Sequence, residues 1–445
     1  MSAISEISDR RSDVRDQKSE IGHLSSAVGA ASSASPSSVV GRPTANVAIL
    51  TGGGDKPYAL GMAAALTAAG MTVDFIGSDE LDVPEVADNP RVNFLNLRGD
   101  QRPEVSPIAK ALRVLKYYAK LFTYAAMAKP NLFHILWNNK IQLFDRTLLM
   151  LYYRSLGKRI VLTAHNVNVG TRDLSDSWLN RLSLKIQYKL CDHVFVHTPA
   201  MKEQLIAEFD MADDKVTVVP FGINNTVPNT DLSSSEAKEK LGINAGDKTM
   251  LFFGNIAPYK GLEYLINAFV EVARENKLYR LIIVGKPKGR EKYWASIKET
   301  ITRSGIVNQT IQVINYVPDE TTELYFKAAD LLVLPYTQIF QSGVLFLGYS
   351  FGLPAIAANV GSLREEIIEG RTGYTFRPKD AADLAQKIEQ YFKSDLFLRL
   401  ETTRVAIETY ANERYSWDKV AAITTAVYSR LVPETRSKSE VRGQK

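Results

Sequence analysis

The sequence predicts two doubly wound α/β domains in tandem, and three observations lead there. Short, continuously apolar, β-branched runs recur from Val47 to Phe376, each followed by a segment of helix length. Such runs are strands buried on both faces of a parallel sheet. They fall into two series, separated by a polar stretch at residues 227–248 that reads as a linker. The chain has 445 residues, 45% of them apolar, enough for more than one core without disulfide or metal staples.

The first series holds Val47–Leu50, VDFIG from Val73, VNFLNL from Val92, LFHILW from Leu132, IVLTAHN from Ile160, VFVHT from Val194 and VTVVPF from Val216. The second holds MLFFGN from Met250, LIIVG from Leu281, IQVINYV from Ile311, LLVLPY from Leu331, AIAANVG from Ala355 and GYTF from Gly373. The expected divisions are a disordered tail at 1–44, a first domain at 45–226, the linker at 227–248 and a second domain at 249–410. A helical segment at 411–432 and a second tail at 433–445 complete the chain. Residues 1–44 carry twelve serines and no aromatic residue, too little apolar surface to offset the entropy of ordering. Ligands of open parallel sheets bind at the carboxyl ends of the strands, so the working surface is expected in the cleft between the domains.

Composition removes several classes. The 54 basic and 49 acidic side chains nearly balance, so no nucleic-acid partner is expected. Cys191 is the single cysteine, which excludes an intramolecular disulfide and a Cys-based zinc site. No apolar run approaches the ~20 residues of a membrane span, and no signal-peptide core follows Met1. A cytoplasmic protein is the expectation.

Four segments carry candidate chemistry. Thr51-Gly52-Gly53-Gly54-Asp55-Lys56 lies between the first strand and a helix, where glycines allow close backbone approach and a helix N-terminus favours anions; the alternative is a plain tight turn. In Phe253-Gly254-Asn255-Ile256-Ala257-Pro258-Tyr259-Lys260-Gly261, Lys260 stands near a helix N-terminus. A cation there opposes the macrodipole, and it makes sense if lysine and helix share a phosphate. Gln341-Ser342-Gly343-Val344 opens an almost wholly apolar helix after LLVLPY, and Gly361-Ser362-Leu363-Arg364-Glu365 repeats the loop-then-helix arrangement. Thr163-Ala164-His165-Asn166 ends a buried strand, so His165 should face the cleft. Separately, residues 105–144 include Lys110, Arg113, Lys116 and Lys120. At helical spacing these share a face with Tyr117 and Tyr124, opposite Ile108, Leu112, Leu115, Ala119 and Phe122. The apolar side should pack on the sheet, leaving a basic, aromatic face for anionic lipid or a polyprenyl diphosphate; a merely solvated basic helix is the alternative.

Five stretches, FGNIAPYKGLEYLINAF, LIIVG, YVPDETTELYFKAADLLVLPY, SGVLFLGYSFGLPAIAANVGSLREEI and GRTGYTFRPKDAADLA, resemble in order and spacing the retaining glycosyltransferases of family 4, which adopt the GT-B fold. The resemblance implies transfer of a sugar from a nucleotide-diphosphate donor in the second domain to a saccharide or polyprenyl-linked acceptor in the first. It places Lys260 on the donor diphosphate, with Ser342, Gly343 and Val344 as the loop contacting the phosphates and Asn255 beside it; Gly53 and Gly54 are expected on the donor from their own glycine-rich loop. Asn255 stands where an arginine is usual. The family's paired glutamates fall on Ile339 and Leu347, leaving Glu365 as a partner for donor hydroxyls, with a helix N-terminal acid that favours the dipole as the alternative, and His165 lies near the transferred sugar. No Asp-x-Asp triad is present, so no metal or other cofactor is expected, and a front-face route would have the departing phosphate take the acceptor proton. The implied setting is polysaccharide or glycoconjugate synthesis at the inner face of the plasma membrane. Two alternatives stand beside it: a soluble acceptor, and a catalytically silent subunit of the same fold.

Overall fold

The computed structural model describes residues 46–432 apart from 102–105, 173–175 and 288; both expected tails lie outside the described residues. Its thirteen strands are the thirteen apolar runs. The first sheet contains β1 (Asn46–Leu50), β2 (Thr72–Gly77), β3 (Val92–Asn96), β4 (Leu132–Ile135), β5 (Arg159–Thr163), β6 (His193–Val196) and β7 (Val216–Val218). Their order is β3-β2-β1-β4-β5-β6-β7. The second contains β8 (Lys248–Phe253), β9 (Tyr279–Val284), β10 (Thr310–Val313), β11 (Leu331–Leu334), β12 (Ala355–Ala358) and β13 (Gly373–Phe376), in the order β10-β9-β8-β11-β12-β13. Neighbouring strands in both sheets pair in parallel.

Alternate residues serve opposite faces. Val47 and Ile49 join one apolar cluster of the first sheet while Ala48 and Leu50 join the other, and Met250 and Phe252 are likewise divided from Leu251 in the second. That two-sided burial is why the strands lack polar alternation. In each sheet the strand order reverses at the first strand, β1 or β8, and the crevice that opens there is the ligand position of doubly wound sheets. The Gly52–Gly54 loop follows β1, and the Gly254–Gly261 loop follows β8.

Two features of the structure bear on how the chain divides into domains. Residues 227–248 are not a free tether. Ser233 and Glu236 form a capping box for the helix Ser234–Lys240, Ala237 is fully buried, and Lys238 pairs with Asp330 at 2.9 Å inside the second domain. A capped, anchored helix reads as a polar linker because only one of its faces is apolar. The C-terminal helix Trp417–Leu431 returns to the first domain and packs against the helix Lys56–Ala68. His134 of β4 holds it there through the Tyr428 hydroxyl (2.5 Å), with the other ring nitrogen on Thr163 (2.7 Å). The chain thus crosses between domains near residues 221–226 and again near 415–417, and the crossings are stitched together. Ile223 N–H donates to the Tyr415 carbonyl (2.9 Å), and Trp417 Nε1 donates to the Ile223 carbonyl (3.0 Å). The indole sits where side chains at Gly61 and Gly222 would be, 2.1 and 2.4 Å from their ideal Cβ positions.

The helix Pro107–Met127 is turned the other way from expectation. Tyr117, Tyr118, Leu121 and Ala125 face inward, while Ile108, Leu112 and Leu115 are 74, 61 and 64% exposed. The tyrosines win the interior because each hydroxyl finds an acceptor: Tyr117 on Asn139 (2.6 Å), Tyr118 on Asp145 (2.8 Å) and Tyr124 on Asp74 (2.8 Å). A tyrosine so satisfied buries more apolar area than a leucine does. Lys110, Lys116 and Lys120 remain exposed, but Arg113 turns back to the Asp100 carbonyl.

Candidate active site

The carboxyl ends of the first sheet present a row of rings. His165, just past β5, lies flat on Trp137, just past β4, with centroids 4.1 Å apart and planes at 5°. Tyr58 meets His165 edge-on at 4.7 Å. The protons on the histidines follow from their partners. His197 Nδ1 lies 3.1 Å from the Val219 carbonyl, which only accepts, so that nitrogen carries the proton. His197 Nε2 is then an acceptor, and His165 Nδ1, at 2.9 Å, donates to it. His165 Nε2 is left as a bare, buried acceptor with no partner. Burial lowers both pKa values, His197 to about 4 and His165 well below its ordinary value. His165 is therefore neutral, and its Nε2 can only accept a hydrogen bond. It opens onto a polar pocket lined also by Asn138, Gln142, Arg146 and Asn166.

The glycine loop owes its composition to this row. An ideal Cβ at Gly54 would lie 1.9 Å from the Trp137 ring, and one at Gly53, where φ is +78°, would lie 2.5 Å from an Arg98 nitrogen. The helix end that follows is already capped, since Asp55 accepts from Tyr58 N–H at 2.9 Å. Gly53 and Gly54, expected on the donor, are thus placed against side chains of their own domain.

Lys260 is buried at the end of the turn Pro258–Lys260, before the helix Leu262–Glu275. Its Nζ donates to the Tyr336 hydroxyl at 2.5 Å, and the Ser342 hydroxyl lies 3.5 Å from the same oxygen. Tyr336, which sequence reading passed over, thereby joins two expected donor residues. Ser342 begins the helix Gly343–Ser350, whose first N–H groups, on Gly343 and Val344, have no intrahelical acceptor. A Cβ at Gly343 would meet nothing within 4 Å, and one at Gly254 would touch Val344 at 3.5 Å. Asn255 follows, exposed. Gly343 and Val344 face Asp55, Tyr58, Phe221 and Trp417 across a cavity of about 260 Å³ between the two domains.

Of the two acids after β12, Glu366 is buried and accepts from Tyr415, which gives it a structural task. Glu365 is half-buried. Burial raises its pKa, Arg364 opposes that, and Glu203 of the first domain adds to it, which places Glu365 within reach of the opposite wall of the cleft. Ile339 and Leu347 are buried in the apolar core. Beside them Gln341 has neither amide atom hydrogen bonded. Among the described residues no cluster of three or more His, Cys, Asp or Glu is placed to hold a metal.

Comparison with known proteins agrees with this geometry. Residues 52–226 match the glycosyltransferase family 4 model and residues 247–394 the glycosyl transferases group 1 model, together well over half of the chain. The chain belongs to the glycosyltransferases built from this pair of domains, of GT-B type. It is 27% identical over 282 residues to the D-inositol 3-phosphate glycosyltransferase of Corynebacterium diphtheriae, covering 60% of this chain and 64% of that one. The chain spans less than two thirds of the length of the curated relatives it matches. Anabaena HepE in complex with UDP superposes with a TM-score of 0.66 at 16% identity, covering 87% of this chain and all of that one. Sucrose-phosphate synthase of Thermosynechococcus elongatus gives 0.69 at 18%, covering 87% and 99%. At these identities the two structures speak for the fold.

The buried histidines set a pH dependence of stability. His134 falls to about 3 and His197 to about 4, burial being the largest cause for each. In the unfolded chain both titrate near 6.5. Below that pH the unfolded chain binds more protons, so stability is complete above 6.5 and is lost as pH falls toward 4. Each ring contributes about 1.4 kcal/mol per pH unit in this window. Urea midpoints should drop between pH 6.5 and 5, less steeply in His134→Gln; an unchanged midpoint would refute the buried neutral rings.

Proposed function

We propose that this protein is a retaining glycosyltransferase that passes a sugar from a nucleotide-diphosphate donor to a saccharide or polyprenyl-linked acceptor, in polysaccharide or glycoconjugate synthesis. The observation that carries the reading is the buried Lys260 ammonium beside Ser342 and the open N-terminus at Gly343. Charge developing on a departing diphosphate is met there by a cation and by oriented N–H groups, with no metal required. HepE, whose structure holds UDP, supports a nucleotide donor by analogy. On the opposite wall, His165 Nε2 accepts from a hydroxyl of the transferred sugar, and the polar pocket around Asn138 and Asn166 takes the acceptor. Glu365 serves donor hydroxyls. The acceptor proton leaves with the diphosphate on the same face, which retains the anomeric configuration.

The exposed Ile108, Leu112 and Leu115, interleaved with Lys110, Lys116 and Lys120, support residence at the inner face of the plasma membrane. Apolar side chains enter the headgroup region while lysines meet anionic lipid, each worth about 1 kcal/mol near the surface. A silent partner subunit is the second reading, favoured by apolar Ile339 and Leu347 where the family carries glutamates. Hydrolysis of a nucleotide sugar by the purified protein decides against it.

Lys260→Ala should weaken nucleotide-sugar binding by about tenfold or more, since charge-assisted contacts contribute about 1.5–3 kcal/mol. An unaltered dissociation constant in calorimetry would sink the donor assignment. Saturating EDTA should leave initial rates within about twofold; loss of activity restored by magnesium would overturn metal independence. Changing Leu112 and Leu115 to serine should release the protein from anionic vesicles, and exchanging Lys110, Lys116 and Lys120 for glutamine should weaken binding most at low salt. Equal pelleting of variants and wild type would return this helix to an ordinary solvated face.

A further inference from the structure

Arg98 follows β3 and reaches back over the glycine loop. Its guanidinium is pressed between the Gly53 backbone and the Tyr117 ring, whose centroid is 5.5 Å away. The residue is only 8% exposed, yet Nη1 has no hydrogen-bond partner, and no carboxylate pairs with the group among the described residues. Asp145 is turned to Tyr118 and Asn139, accepting from both. A buried guanidinium left in this state costs stability unless an anion completes it. Arg98 lines a narrow, half-open pocket together with Gln101, Arg113, Tyr117, Asn139 and Lys140. Three cations and two neutral amides converge there, and among the described lining residues there is no acid.

We infer that this pocket binds a phosphate group carried by the acceptor. A planar guanidinium presents parallel N–H donors that match two oxygens of a phosphate, and Arg113 and Lys140 add charge around the same space. The pocket belongs to the rim that carries His165: Gly53 lies under Arg98, Gly54 under Trp137, and Trp137 on His165. A phosphate at Arg98 would anchor an acceptor on the side away from Lys260, whose diphosphate site belongs to the other domain. The inference rests on the reading above that the first domain takes the acceptor. A phosphate on a small polyol and one on a polyprenyl chain present the same chemistry to this pocket.

The test is calorimetric titration of the full chain with inorganic phosphate. Arg98→Gln should weaken binding by at least tenfold, Arg98→Lys should keep part of it, and Lys260→Ala should retain the Arg98-dependent binding. Phosphate binding unchanged in Arg98→Gln, or abolished by Lys260→Ala alone, overturns the proposal. This readout stands even if no nucleotide sugar binds the wild type, a result that would instead strike the transferase reading. Transfer assays then separate the sources, using glycerol 3-phosphate in solution and a polyprenyl phosphate in neutral phosphatidylcholine vesicles. In Arg98→Gln the KM for the true acceptor should rise at least tenfold while the donor dissociation constant stays within twofold. An acceptor KM that does not move overturns the assignment.

Discussion

The seat of Trp417 is the constraint on which the rest of the molecule depends. Its indole fills the room left by two glycines on different elements, donates to the Ile223 carbonyl at the outgoing crossing, and meets the Tyr58 ring at 5.3 Å. Phe221, at the same crossing, stacks on Phe346 of the second domain at 5.3 Å. Both passages of the chain between domains are therefore packed and hydrogen bonded at one place. The two switch-point loops, after β1 and after β8, meet the cleft on either side of that place. Its walls are set by rigid strands and a wedge, without reliance on a flexible tether.

Across the cleft the two walls carry different electrostatics, and burial is the cause on both. On the first domain it strips charge: the relay Val219–His197–His165 holds two imidazoles neutral and leaves one buried lone pair, on His165 Nε2, without a partner. A neutral acceptor of this kind can orient a hydroxyl without adding charge to its surroundings. On the second domain burial holds a lysine against a tyrosine ring, its Nζ 3.9 Å from the Tyr336 centroid. That ammonium is held in place by the fold itself, so an anion binding there would need little further ordering.

The strands were legible because a parallel strand covered on both faces has nothing else to resemble, and each of the thirteen apolar runs became one. Helix orientation was less legible. At residues 107–127 the pattern of leucine and lysine pointed one way, while Tyr117, Tyr118 and Tyr124 decided the other through acceptors distant in sequence. Lys260, Ser342 and Gly343 could be read because they stand in ordered motifs next to strand ends. Arg98 could not. An arginine after a strand is commonplace, and only the neighbouring Gly53 and Tyr117, brought up by the fold, reveal a guanidinium without a counter-charge among the described residues. Trp137 and His197 each stand at the carboxyl end of a strand next to β5, a signal that strand order, once known, turns into adjacency.

The return of the last helix makes the first domain discontinuous in sequence. Its bed is built from residues of β4, β5 and the helix Lys56–Ala68, and its final layer arrives only with residues 417–431. During synthesis the first sheet must therefore wait, with the surface around His134 and Gly61 uncovered, until the entire second domain has been made. A polypeptide cut between the two sheets would separate neither domain cleanly: one fragment would lack its lid, and the other would carry that lid with nothing to cover.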